Sequence, residues 1–196
     1  MKQFIFSATL LFSILSVNAQ SYQMEDTFDT NSNGWTEVVS KRGEAIIKDG
    51  VLRIKSKAEL EFFASTCYTD IDVQQNFEMK CEIKVKSIND DSAFGMILDY
   101  IDDGNFIAFV VFEGNARLVR YQENELIGFR ENNIKLKSAR KASVDLTVKS
   151  THQRLVFEIN GMTAIEVRYL PLTSNGIGFY VAGKNTVDFD NLIITQ

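Results

Sequence analysis

Residues 76–85 read NFEMKCEIKV, and their order decides what kind of fold this chain can adopt. Phe77, Met79, Cys81, Ile83 and Val85 alternate with Glu78, Lys80, Glu82 and Lys84. Successive side chains of an extended strand point to opposite faces, so this pattern predicts a strand with one face on a core and one in water. The same period of two runs through SVDLTVK (143–149), RLVFEI (154–159) and TAIEVR (163–168). Turn dipeptides punctuate these segments at Asp49-Gly50, Asp103-Gly104, Glu113-Gly114, Asn160-Gly161 and Asn175-Gly176. Asn160-Gly161, between FEI and MTAIEV, predicts a two-residue hairpin. No long window carries a helical period, and Pro171 is the single proline. Many short strands without helices close as a sandwich or a barrel. All-β is the expected class.

The chain opens MKQFIFSATLLFSILSVNAQ. Lys2 supplies a positive start, Phe4 to Val17 an apolar stretch, and Val17-Asn18-Ala19 a small-residue cleavage site. Residues 1–19 therefore read as a secretory signal peptide, and 20–196 as one domain that is periplasmic or extracellular. After removal of the signal no membrane insertion is expected. The formal charge of -5 becomes -6 when Lys2 leaves, and an acidic surface excludes nucleic acid and anionic membrane as expected partners. KLKSARK (135–141) is the one cationic cluster, and it reads as a solvated loop. Cys67 and Cys81 flank an expected hairpin whose loop lies around Asp70 to Asn76. Export permits a disulfide between them, and buried free thiols are the alternative, because both sit in apolar strands.

Few residues look like catalysts. His152, the single histidine, lies in the polar turn KSTHQR, and no G-x-S-x-G elbow or C-x-x-C pair occurs. FDTNSNGW (28–35) places Asp29, Asn31, Asn33 and Gly34 in the opening spacing of an EF-hand loop. An EF-hand needs flanking helices and a bidentate acid at loop position twelve. That position is Ser40, and both flanks read as strand, so the EF-hand is rejected. The stretch is better read as a turn in which Gly34 frees the backbone before Trp35 enters the core.

FDTNSNGW, FGMILDYIDDGNFIAFVVFEG (94–114), FEINGM (157–162) and GIGFYVAGKNTVDFDNLII (176–194) follow one another in a particular order. In that order they resemble the concanavalin A-like (laminin-G/glucanase-like) β-sandwich domains of secreted bacterial proteins, over essentially all of the chain after the signal. The resemblance implies a concanavalin A-like jelly-roll sandwich of two antiparallel sheets. It also implies that the first and last strands lie side by side, with a possible structural calcium near Glu25, Asp26 and Asp190. DYIDDGN offers a second oxygen-rich stretch in Asp99, Asp102 and Asp103. The sandwich hosts lectins, glycosidases and adhesion modules alike. Family-16 glycoside hydrolases carry E-x-D-x-E on one strand, and this sequence lacks it. Asp70-Ile71-Asp72 and Asp188-Phe189-Asp190 have an alternating pair without the third acid. No catalytic residue is assigned, and no cofactor is required.

Three functions stay open on the sequence. They are a secreted non-catalytic carbohydrate-binding or accessory module, a divergent glycoside hydrolase, and a structural or protein-interaction subunit. The central strands suggest where a ligand would lie. Phe94, Met96 and Leu98 form one apolar stripe, yet Ile97 falls on the opposite face. Phe106, Ala108, Val110 and Phe112 likewise oppose Ile107, Phe109 and Val111, and Tyr180 opposes Phe179. An apolar face where water is expected fits a groove in which Phe106 and Tyr180 stack on a glycan or polysaccharide, with Asp99 and Asn105 bonding its hydroxyls. Loops or a partner subunit covering that face is the other explanation.

Overall fold

The computed structural model describes residues 21–57, 62–87, 92–112, 114–132, 143–152, 154–168 and 170–196. The expected signal and KLKSARK lie outside these described residues. Among the described residues every regular element is a strand, fifteen in all, and no helix is long and apolar enough to cross a membrane.

The strands make two sheets. The nine-stranded sheet runs β13 (Met162–Arg168), β12 (Arg154–Ile159), β11 (Ser143–Ser150), β6 (Phe77–Ser87), β15 (Asn185–Thr195), β4 (Val51–Ser56), β3 (Gly43–Lys48), β2 (Val38–Val39), with β1 (Gln23–Asp26) paired to β15. The six-stranded sheet runs β10 (Glu125–Asn132), β9 (Asn115–Gln122), β8 (Asn105–Phe112), β7 (Ala93–Asp102), β14 (Gly176–Ala182), β5 (Phe62–Tyr68). Every pairing is antiparallel. First and last strands do lie together, Asp26 opposite Leu192.

Alternation sets the packing. The five apolar residues of β6 are all buried and join Leu146, Val148, Phe157 and Phe189 from neighbouring strands in the space between the sheets. Phe94, Met96, Leu98, Phe109, Phe179 and Val181 meet them from the other sheet. Phe179 stacks on Trp35 at 5.2 Å and on Phe189 at 4.3 Å between ring centroids. One ring of the six-stranded sheet thus ties the N-terminal turn to the last strand.

FDTNSNGW resolves into that turn. Asn31 accepts the Trp35 backbone N–H at 2.7 Å and donates to the Trp35 carbonyl at 2.9 Å. The buried Asp26 carboxylate accepts from Phe28 N at 2.8 Å, and from Asn33 Nδ2 and Trp35 Nε1 at 2.7 Å each. Gly34 takes a φ of +69°, which few other residues adopt without strain. The Asn and Asp side chains hold Trp35 in the core.

Asp49-Gly50 and Asn160-Gly161 each carry two positive φ values, as the tight hairpins they close require. Glu123 and Asn124 do the same without a glycine; this turn had no dipeptide signal. Asn175-Gly176 closes no hairpin. It leads into β14, and Gly176 lacks a side chain because a Cβ there would run into the Tyr100 carbonyl.

The cysteine expectation needs correcting. Cys67 lies on β5 and Cys81 on β6, in different sheets, so the two flank a crossover and no hairpin joins them. Both are free and buried. Burial pushes the Cys67 thiol up to about 12, with the Asp26 charge adding to it. Burial drives Cys81 well above its usual range too, and its Sγ–H donates to the Asp190 carbonyl at 3.2 Å. Both behave as small apolar residues.

Candidate ligand-binding site

The face of the six-stranded sheet turned away from the core is apolar. Ile97, Phe106, Ala108 and Val110 are buried there, with Phe62, Ala64, Val119, Tyr121 and Tyr180 packed on them. Tyr180 stacks on Phe62 at 5.2 Å, Phe62 meets Phe106 at 5.9 Å, and Phe106 stacks on Tyr121 at 4.9 Å. Phe106 keeps 2 % of its surface exposed, so its ring supports the others more than it offers itself. Tyr180 is half-buried. Burial pushes its phenol above the ordinary tyrosine range, and Tyr121 adds to the shift.

At one end of this sheet a cleft of about 220 Å³ gathers Asp99, Asn105 and Phe106, together with Ile101, Arg120, Tyr121, Gln122 and Thr173. Three of the four residues expected to touch ligand line this cleft. Tyr180 does not. The β7–β8 register shifts between Leu98 and Asp102, and Asp99 sits at φ +52°. Its Oδ1 accepts the backbone N–H groups of Thr173 at 2.6 Å and Ser174 at 2.7 Å, plus the Thr173 hydroxyl at 3.2 Å. Asp99 therefore pins the loop before β14 to the end of β7. Asn105 is similarly engaged, donating to Asp102 Oδ1 at 2.7 Å and accepting from Glu123 N at 3.1 Å. Hydrogen bonds from the Asn105 side chain and Gly104 N hold the Asp102 carboxyl below its usual range. These residues shape the cleft wall and keep limited spare hydrogen-bonding capacity.

Arg120, Tyr121 and Gln122 are the residues sequence reasoning missed. A signal existed. Arg120 falls on the same parity as Ala116 and Leu118, both buried in the core, so a cation stands on a core-facing register. Its pairing with Ile107 confirms that side. Neither Arg120 nor Arg130 has an ion pair or hydrogen bond among the described residues, and both line a second cleft of about 280 Å³ with Ile107, Leu118, Ile127 and Leu170.

The carboxylates expected near a calcium do not converge. Along β1, Asp26 is buried and Glu25 exposed, which sends them to opposite faces. Both Asp26 oxygens are engaged by N–H donors. Asp190 Oδ1 accepts from Asn191 N at 2.8 Å, and Glu25 accepts from Gln23. No group of three potential metal ligands occurs among the described residues, so Glu25, Asp26 and Asp190 as arranged do not fit one shared ion.

The acid pairs serve structure. Burial alone raises the Asp188 carboxyl, but Arg53 at 2.7 and 2.9 Å and Lys86 at 3.3 Å outweigh it and hold the group below its ordinary range. Asp72 caps its own turn, accepting from Gln74 N and the Gln75 side chain at 3.0 Å each. His152 sits exposed, its backbone N–H donated to Asn76 at 3.0 Å.

This architecture is the concanavalin A-like, galectin-like β-sandwich, two antiparallel sheets in jelly-roll form. Among solved structures, carbohydrate-binding module CBM66 from Bacillus subtilis is similar at TM-score 0.57 and 14 % identity, covering 82 % of this chain and 94 % of that one. The Bacillus licheniformis beta-glucanase is similar at TM-score 0.63 and 8 % identity, covering 89 % and 97 %. The carbohydrate recognition domain of Emp47p matches at TM-score 0.63 and 11 % identity, covering 88 % and 94 %. At these identities the likeness is one of fold. The sequence matches no family model and no curated protein.

Proposed function

We propose that the protein is an exported, non-catalytic carbohydrate-binding or accessory module, periplasmic or extracellular, whose glycan lies in the cleft at the end of the six-stranded sheet. The observation that carries this reading is the convergence of a ring and polar side chains there: Tyr121, backed by the buried Phe106, beside Gln122, Arg120 and Asn105. Sugars present apolar C–H faces and many hydroxyls, and such a mixed lining serves both. The fold's occurrence in a carbohydrate-binding module, a carbohydrate recognition domain and a glucanase supports the same reading.

Binding is favoured over hydrolysis by the acids of the cleft. Glycoside hydrolysis uses one carboxyl held protonated beside one that is ionised. Among the described residues the cleft lining carries one carboxyl, Asp99, which is engaged with Thr173 and Ser174. A structural subunit is the second reading, favoured by the way Phe62, Phe106, Tyr121 and Tyr180 pack on one another.

A glycan array probed with the protein and with Tyr121→Ala separates these readings. Binding to a glycan class that falls about tenfold in the variant, equivalent to about 1.4 kcal/mol, is the expected outcome. Turnover of a bound oligosaccharide promotes the hydrolase, and no binding at all promotes the structural subunit.

A further inference from the structure

We propose that Arg120 and Arg130 form an anion-recognising subsite for the carboxylate of an acidic sugar, so that the glycan this protein binds carries uronate. The inference rests on the glycan reading above and narrows it.

The first ground is the register. Gly128 faces Arg120 and Arg130 faces Leu118 across β9 and β10. Arg120 and Arg130 are therefore diagonal neighbours on one face, about 7–8 Å apart at their Cα atoms and within reach of long side chains. Two like charges in that relation repel.

The second ground is what surrounds them. Three other guanidinium groups have defined partners, Arg53 with Asp188 at 2.7 Å, Arg154 with Glu166 at 2.7 Å, and Arg117 at 4.0 Å over the Phe112 ring, whereas Arg168 is exposed to water. Arg120 and Arg130 have no carboxylate partner among the described residues of a chain with 26 acids against 21 Lys and Arg. Asp99, which lines the first cleft with Arg120, spends one carboxylate oxygen on Thr173 and Ser174. A half-buried cation over an apolar floor gains most from an ionised acceptor, and a guanidinium fork matches a carboxylate in two parallel bonds.

The third ground is size. The clefts of about 220 and 280 Å³ share Ile107 and Arg120. Each alone falls below the roughly 300–1,000 Å³ of ordinary ligand sites, whereas the adjoining pair suits more than one sugar ring. Ile107, Leu118 and Leu170 would take a C–H face while the guanidinium groups take the carboxylate.

Titration calorimetry on the protein decides the matter. The probes are a panel of uronate oligosaccharides, the same oligosaccharides with carboxyl groups reduced to alcohols, and inorganic phosphate. Uronate members should bind about tenfold or more tightly than their reduced forms, with affinity falling as salt rises. Arg120→Met and Arg130→Met should each remove that advantage while leaving the weaker binding of the reduced forms in place. Arg120→Lys should recover part of it. Thermal melting checks that each variant folds, and the exposed Arg130 provides the test should Arg120→Met not fold. Equal binding of acidic and reduced forms, or unchanged selectivity in the variants, overturns this inference and leaves the glycan reading standing. Phosphate binding as tightly as any oligosaccharide overturns it in favour of a simple anion site. Binding of no saccharide overturns both.

Discussion

On the outward side of the nine-stranded sheet, cations and carboxylates answer one another across strands. Lys80 reaches Asp145 at 3.2 Å, Lys149 reaches Glu158 at 2.9 Å, Arg154 reaches Glu166 at 2.7 Å, and Asp188 holds both Arg53 and Lys86. On the outward side of the six-stranded sheet the rings of Phe62, Phe106, Tyr121 and Tyr180 lie against each other, and on its opposite face, at the β9–β10 edge, Arg120 and Arg130 have no acid partner among the described residues. Cross-strand ion pairs satisfy a solvated face within the molecule. A sheet with rings on one face and unpaired cations at the edge of the other leaves interactions to be made with something else. On the proposed function, the difference makes one sheet the scaffold and the other the side of recognition.

Several substitutions test that division, and the largest effect should come from the core that both sheets share. Phe179 and Tyr180 are sequence neighbours on opposite faces. Phe179→Ala removes a fully buried ring stacked on Trp35 and Phe189, and should cost about 3–5 kcal/mol in denaturant unfolding. A loss under about 1 kcal/mol would mean that the two sheets do not depend on this ring.

Next comes the charged face. Asp188→Asn should cost about 1.5–3 kcal/mol at neutral pH, since it leaves Arg53 and Lys86 around a neutral group. The Asp188 carboxyl is depressed in the folded state relative to its ordinary 3.8. Its contribution is therefore complete above that pH and fades as pH falls through the lower folded value. The stability gap between wild type and variant should close on acidification. A gap that persists at low pH would place the effect in packing rather than charge.

Tyr180→Ala should be milder, about 1 kcal/mol of stability from the lost contact with Phe62. Because Tyr180 lies outside the cleft lining, glycan affinity should change less than in Tyr121→Ala. The reverse ranking would move the site from the sheet's end to its middle. The smallest effect concerns calcium. With Glu25 and Asp26 on opposite faces of β1 and no shared group with Asp190, melting temperatures in calcium and in chelator should coincide. A rise of several degrees with calcium would require a set of ligands other than these three.

Much of this could be read from residues alone, because side-chain direction along a strand is a local property. The alternation of NFEMKCEIKV already separated core from water, and it holds in the folded chain from Phe77 to Val85. The apolar residues on both faces of FGMILDY and NFIAFVVF likewise announced a second apolar face on the six-stranded sheet. Asn160-Gly161 specified its hairpin, since two adjacent positive φ values are chemistry of those two residues.

Strand order is not local, and everything that depended on it waited for the tertiary structure. Cys67 and Cys81 look like hairpin partners only until β5 and β6 are assigned to different sheets. Asp26 reads as a metal ligand until Trp35, nine residues on, claims its oxygen. The cleft joins Asp99 to Thr173 across 74 positions and places Arg120 beside both. Strand pairing alone brought Arg120 diagonal to Arg130 with no carboxylate between them. Periodicity fixes which way a side chain points; the order of strands in the sheets decides what it meets there.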